Sequence, residues 1–457
     1  MNAFLRRTGA APPVRLVHLG LGNFHRAHQA WYTDRAPDAA EWGYAAFAGR
    51  SGGTPELLAA QDGLYTLVGR AAEDDTFDVV GSIARAHAGD DHAAWLGYLA
   101  SPDVAAVTLT VTEAGYLVDG EGNLDAERPE VQADLAALRK DRSAAVRTAP
   151  ARLVAGLLAR RAADAGPLAL VPCDNLPGNG ALLDRVVREL VALLDPSLAD
   201  WLDASLSVVT TTVDRITPRT EPVDLETVRA ATGVDDAAPV VTEPFAEWVL
   251  SGAFPAGRPA WHDVGAMFTD DVTPFEHRKL WLLNGGHSLL AYGGSVRGHA
   301  TVAEAVADDT CRGWLEQWWD LARDHLPQPD HDVAVYRAAL VERFANPRIR
   351  HLLAQIGADG SQKLTVRVLP VLRAERDAGR MPLAATRILA AWICTVRGFG
   401  APVTDVRADD LLEPAAGPLA DAVPRLLDVL DPRLGADDAL VDAVAAQVEE
   451  LTADVRR

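Results

Sequence analysis

Residues 14–26 read VRLVHLGLGNFHR. Val14 to Leu19 reads as a buried strand, and Gly20 and Gly22 follow at once. A helical pattern, HRAHQAWYTDRA, continues from His25. Strand, glycine turn and helix in this order let a backbone approach a dinucleotide pyrophosphate, with N–H groups and partial positive charge at the helix start. The third small residue of G-x-G-x-x-G is missing, because His25 stands there, so the spacing also suits a plain tight turn. Asn23, Phe24, His25 and Arg26 open the helix. His25 and Arg26 either add donors to a phosphate or form a solvated first turn.

Further strands follow at 42–49, 64–69, 77–84, 104–112, 167–172 and 206–213. Trp42 to Gly49 ends in Arg50, where an acidic residue would accept from the ribose 2′-OH of NAD and an Arg accommodates the 2′-phosphate of NADP. Arg50 therefore leans to NADP, or is a surface residue with the contact made elsewhere. Thr112 closes the 104–112 strand at its carboxyl end, where ligands of open α/β sheets collect. CDNLPGNG (173–180) after a short strand reads as a turn. Asp214 and Arg215 follow the last strand and either pair or hold a polar ligand. After residue 270 strand patterns fade and helical ones dominate, over 300–326, 333–344, 364–377, 383–396, 418–429 and 438–454. The fold class is α/β, with a Rossmann-type dinucleotide-binding domain over 1–270 and a mostly α-helical domain over 271–457. Trp314, Trp318 and Trp319 are expected in the helical core.

The junction carries TPFEHRKLWLLNGGH (273–287). Thr273 can cap, and Pro274 suits the first helical position. At ~100° per residue, Glu276, Lys279, Asn284 and His287 share one broad face interleaved with leucines. Such a face either meets water or lines a half-buried cleft. Gly285 and Gly286 cost roughly 1 kcal/mol each in a helix, which predicts that a ligand or another backbone comes close. Lys363 opens a later helix, where the dipole disfavours a cation. It is either an ordinary exposed lysine or one facing an anion or polar substrate.

Net charge is −21, from 43 basic and 64 acidic residues. That argues against nucleic acid or an anionic membrane as partner. Cys173, Cys311 and Cys394 are widely spaced, giving neither a disulfide framework nor metal-site spacing, and a reducing cytoplasm is expected. No apolar run of membrane-span or signal-peptide length is present.

LGLGNFHRAHQA (19–30), AAQDGLYTLV (59–68), TLTVTEAGY (108–116), CDNLPGNG (173–180), TVDRITP (212–218), the Lys279/Asn284/His287 spacing and DGSQK (359–363) occur in this order. In that combination the chain resembles the mannitol dehydrogenase family of polyol-specific long-chain dehydrogenases and hexuronate reductases. The resemblance implies a metal-free NAD(P)-dependent oxidoreductase acting on a small polyol or sugar acid, with NAD as cofactor and NADP admitted by Arg50. It implies Lys279 as the catalytic lysine, Asn175 and Asn284 as donors to the reacting oxygen, and His287 at the substrate. Asp214 and Lys363 match substrate residues, and Glu276 a carboxylate near the lysine. The chemistry agrees. Secondary-alcohol oxidation needs a proton acceptor, and a lysine base is favoured by burial among leucines. Amide donors stabilise a developing alkoxide without taking its proton. Mannitol-type members resemble a pattern with Arg eight residues before the Lys of DGS-x-K. Gln355 stands there, and the stretch looks more like the fructuronate reductase branch. The expected reaction is carbinol/ketone interconversion at C2, of mannonate/fructuronate type, with mannitol or arabinitol as alternative substrates. A non-catalytic dinucleotide-binding sensor is the rival from another class, and it would have lost part of the reactive set.

Overall fold

The computed structural model describes residues 3–49, 53–328, 330–402 and 404–455. Arg50 lies outside them. The chain divides into two compact units, Met1–Thr273 and Pro274–Arg457.

The first unit is built on a six-stranded sheet. Its strands are β1 (Val14–Leu19), β2 (Gly43–Phe47), β3 (Ile83–His87), β4 (Ala106–Leu109), β5 (Leu168–Pro172) and β6 (Leu206–Val208). All pairs are parallel and the spatial order is 3-2-1-4-5-6. That is the doubly wound order, whose switch point lies between β1 and β4. β2, β4 and β5 are buried at every residue, as parallel strands covered on both faces must be. β1 alternates: Val17 and Leu19 pack into one apolar layer and Leu16 into the other. The first layer is closed by helices Pro129–Lys140, Ala149–Ala162 and Asn179–Leu194, and the second by Tyr32, Trp248 and Trp261.

Three expected elements divide. The 77–84 strand becomes Asp75–Val80, paired antiparallel with Tyr65–Arg70, and then β3 of the main sheet. The 206–213 strand becomes β6 and Thr210–Asp214, which pairs antiparallel with Glu247–Ser251. The helix after Gly22 runs Asn23–Ala27, breaks at His28 (φ −121°, ψ −88°) and resumes as Gln29–Arg35.

The second unit is helical. Asp309–Arg323, Leu383–Val396, Leu419–Leu430 and Asp438–Val455 are among its longer members. Trp318, Trp319 and Trp392 are fully buried in it. The expected 300–326 helix divides at Asp308, which caps Asp309–Arg323, and the 364–377 helix breaks at Val368, just before Pro370. The helix at the junction is not uniformly α. Thr273–Arg278 is α-helical, Lys279–Asn284 is π-helical, Gly285–Leu289 returns to α and Leu290–Gly294 is again π. The Gly285 N–H reaches back five residues to Leu280 O, which is the π pattern. Among the described residues no helix is long and apolar enough to cross a membrane.

Candidate active site

In the first unit a crevice opens at the carboxyl ends of β1, β2 and β4, lined by Gly20, Leu21, Gly49, Thr110, Thr112 and Arg152 among others. The glycine turn is set by its neighbours. The Gly20 and Leu21 N–H groups both donate to Phe47 O, at 2.9 and 2.8 Å. Gly20 has φ +114°, and a Cβ there would stand 2.2 Å from Thr110 O. Only glycine fits this backbone. Thr110 Oγ1 donates to Gly20 O at 2.8 Å, and His18 bridges Thr110 and Thr108 at 3.0 and 2.8 Å. With Thr110 donating to the carbonyl, His18 Nε2 carries its proton. Burial pushes its pKa down to about 3, so the ring is neutral. These observations fit a dinucleotide: a pinned turn without a Cβ at Gly20, and Gly22 capping the following helix.

His25 and Arg26 differ from expectation. Neither sits in a solvated first turn and neither side chain is presented to a phosphate. His25 is fully buried and stacks on His18, with centroids 3.5 Å apart. Arg26 is buried and donates to Ala238 O at 2.5 Å and to Asn23 Oδ1 at 2.7 Å. The ridge they form belongs to the core because α-helical turning carries positions 25 and 26 inward against β1 and Tyr65. Asn23 in turn donates to Pro218 O and Thr220 Oγ1, at 3.3 and 3.2 Å. Phe24 stacks on His28 at 5.1 Å. Thr112 is exposed at the head of a short 3₁₀ turn, Glu113–Tyr116.

The 173–180 loop is more than a turn. Asp174 is buried and accepts from Val111 N–H at 2.5 Å and from the Tyr116 hydroxyl. Burial outweighs these bonds and raises its pKa to about 7. Asn179 donates to Asp174 O and Thr211 O, at 3.2 and 2.9 Å, and accepts from Thr211 N–H at 3.0 Å. Asn175, between these anchors, is exposed. Asp214 is buried at the end of its strand, opposite Glu247. Arg215 lies over the Trp31 ring at 4.5 Å and donates to Ala27 O at 2.5 Å and Glu243 O at 3.2 Å.

In the second unit Glu276, Lys279, Asn284 and His287 are all buried, between 5% and 8% exposed. The polar face therefore does not meet open water. Winding sharpens its geometry. With ~100° per residue throughout, the four would spread over ~140°, but a π turn advances only ~80° per residue. Across Lys279–Asn284 that closes the spread to roughly 80° and brings Lys279 and Asn284 to one side. His287 stacks on Phe344 at 4.5 Å and meets His351 edge-on at 4.9 Å. Burial, then His351, Arg343 and Arg367, holds its pKa well below the usual value, so it is neutral. Its buried Nε2 has no hydrogen-bond partner among the described residues.

The paired glycines face neither ligand nor backbone. A Cβ on Gly285 would stand 2.7 Å from Trp318 Nε1, and one on Gly286 would stand 2.9 Å from Leu315 Cδ1 and 3.1 Å from Trp319 Nε1. They admit two indoles, which donate to Trp281 O and Leu282 O at 2.8 Å each. Lys363 is half-buried on Gly360–Arg367, with Nζ 3.3 Å from Ile356 O, and burial and then Arg367 lower its pKa. Gly360 is required because a Cβ there would meet the Tyr292 hydroxyl and the Trp392 indole. Gln355 is exposed on Leu353–Ile356.

Sequence reasoning missed Asp174, Asn179 and Arg367. Arg367, half-buried at the end of Gly360–Arg367, lies 3.2 Å from Ser288 Oγ and 3.5 Å from Asn284 O. The CDNLPGNG motif held the first two, but nothing in its spacing separates an anchored loop from a turn. Among the described residues one group, His299, Asp308 and Cys311, has metal-ligand atom types close together. Its carboxylate already takes Arg297 and His299, at 2.8 and 2.9 Å, and caps the helix at Thr310 and Cys311.

The mannitol dehydrogenase Rossmann domain model matches residues 14–263, and the mannitol dehydrogenase C-terminal domain model matches 271–452. The D-mannonate oxidoreductase of Escherichia coli (strain K12) is 36% identical over 84% of this chain and 80% of its own length. The D-arabinitol 4-dehydrogenase of Ralstonia nicotianae is 35% identical over 96% of this chain and 97% of its own. The Pseudomonas fluorescens mannitol 2-dehydrogenase, solved as a ternary complex with NAD and D-mannitol, is 33% identical with a TM-score of 0.85, covering 99% of this chain and 96% of that one. With both halves of the chain matched by their own models and a glycine turn, sheet order and polar helix that fit them, the chain belongs to the mannitol dehydrogenase family.

Proposed function

We propose that this oxidoreductase interconverts a secondary alcohol and a ketone at C2 of an open-chain sugar derivative, of the mannonate/fructuronate type. The observation that carries the reading is the junction helix: four buried polar side chains gathered on one side by a π turn. Burying them is costly unless they are used or satisfied, and π segments are frequent at functional sites.

Bound nicotinamide dinucleotide supplies the hydride acceptor or donor. Lys279 takes the hydroxyl proton in oxidation and returns it in reduction. Asn284 and Asn175 donate to the oxygen that gains negative charge, each such donor contributing several kcal/mol in a water-poor site (about 2.7–4). His287, held neutral, offers Nε2 to a substrate hydroxyl. Glu276, Asp214 and Lys363 bind the substrate chain or its proton path. A sugar-acid carboxylate suits Lys363, and Gln355 in place of an arginine supports the sugar-acid branch over mannitol. Mannitol 2-dehydrogenase or arabinitol dehydrogenase activity is the second reading, supported by relatives of equal identity. NAD is the proposed cofactor, with NADP admitted by Arg50. The test is a panel of fructuronate, fructose, mannitol, mannonate and arabinitol, read by reduced-nicotinamide absorbance with each dinucleotide. Activity on fructose and none on fructuronate removes the sugar-acid preference.

A further inference from the structure

Helix Ala149–Ala162 carries two buried arginines with opposite surroundings. Arg160 is 1% exposed and donates to six carbonyls, those of Leu99, Ser101, Val104, Ala165, Gly166 and Pro167. That is how a structural guanidinium is satisfied. Arg152, two turns earlier, is 5% exposed, and its guanidinium makes no hydrogen bond or ion pair among the described residues. Its buried Nη2 has no partner. What it has is aromatic: the guanidinium carbon stands 4.9 Å from the Trp95 ring centre and 5.8 Å from that of Phe47. Leaving a buried cation without acceptors costs several kcal/mol, which stacking of this kind only partly offsets. An anionic ligand at this place would supply the acceptors.

The place is specific. Arg152 lines the crevice over the glycine turn with Gly20, and also the adjoining hollow with Gly89 and Asp90, at the ends of β2 and β3. Arg147 and Gly49 are shared by both hollows. Asp90 is the acidic group whose field reaches Arg152. Phe47 ends β2, so the guanidinium is held beside the strand end that meets the adenosine half of a dinucleotide.

The structure assigns Arg152 as a phosphate-binding residue of the dinucleotide site, held ready by Trp95 and Phe47 in the wall of the crevice. The assignment rests on the dinucleotide reading given above. The phosphate is either the pyrophosphate, common to both cofactors, or the 2′-phosphate of NADP. A guanidinium matches either through a two-donor fork.

The test is titration of the whole protein with NADH and with NADPH, read by binding fluorescence, for the parent, Arg152→Met and Arg152→Lys, with a thermal melt of each without ligand. Arg152→Met keeps stem and stacking volume, and Arg152→Lys returns charge without the fork. A loss of roughly tenfold or more for both dinucleotides in Arg152→Met identifies the pyrophosphate, and the same loss for NADPH alone identifies the 2′-phosphate. Partial recovery in Arg152→Lys is expected in either case. If Arg152→Met does not fold, Arg152→Lys must still bind more weakly than the parent. Unchanged affinity for both dinucleotides in a folded variant overturns the assignment and leaves the dinucleotide reading standing. A parent protein that binds neither dinucleotide overturns that reading, and the assignment with it.

Discussion

The indole N–H of Trp318 donates to the main-chain carbonyl of Trp281 at 2.8 Å. In an α-helix that carbonyl would accept from the Gly285 N–H, four residues on. Here the Gly285 N–H bonds Leu280 O and Leu282 O instead. The tryptophan takes the carbonyl that π winding spares, and Gly285 is the residue that lets it close in. One residue on, the Trp319 indole N–H donates to Leu282 O at 2.8 Å, a carbonyl that also takes the Gly285 N–H.

Gly285→Ala therefore strikes at the π turn. Its Cβ would fall within 2.9 Å of three Trp318 ring atoms, and overpacking of this kind costs about 1–3 kcal/mol. The expected result is a lower melting temperature together with a fall in turnover, because Lys279 and Asn284 lose their common side. A variant that melts lower but turns over at the parental rate would separate the winding from the chemistry.

Acid should destabilise the protein early. His18, His25 and His287 are buried, and desolvation lowers each pKa in the folded state, with His18 adding to the effect at His25 and His351 at His287. The unfolded chain then binds more protons below about pH 6.5, so their contribution is complete above that pH and is lost as pH falls. Each group contributes about 1.4 kcal/mol per pH unit below it. Urea midpoints measured from pH 7.5 to 5 should fall steadily. A flat profile would contradict buried neutral histidines.

Asp174 runs the other way. Its folded pKa, raised by burial to about 7, exceeds the unfolded value, so the folded state holds the extra proton. That stability is full below about pH 4 and is lost as pH rises through 7. Asp174→Asn keeps an acceptor for Val111 N–H and does not ionise. The melting temperature of the parent relative to Asp174→Asn should drop between pH 5 and 8, with the variant ahead at the alkaline end. A pH-independent gap would show that the carboxyl titrates elsewhere.

Much of the fold was legible in advance because its signals are local. Val14–Leu19 and Leu383–Val396 are mostly apolar stretches, and both appear with the expected bounds. The divisions at Gly81, Val209 and Asp308 were not legible. At Gly81 and Val209 one continuous pattern serves two strands that pair with different partners elsewhere in the chain, and at Asp308 the helical pattern runs on through a residue that caps the next helix. The polar set on the junction helix could be read from spacing, but a wheel at fixed pitch misplaces Lys279 against Asn284, since π winding depends on Trp318 and Trp319. His25 and Arg26 failed for a similar reason. The helix start is legible in the glycine turn, and its inward face is not. Arg50 lies outside the described residues, so the expectation on 2′-phosphate recognition there stands as proposed.

Lys279 as the proton acceptor is the central claim, and Lys279→Ala tests it most directly. Steady-state turnover should be compared with dinucleotide affinity and melting temperature in the same preparation. A loss of about 10²–10⁴ in turnover, with affinity unchanged and the fold intact, is the expected result. Turnover near the parental rate in a folded, dinucleotide-binding Lys279→Ala protein would contradict it.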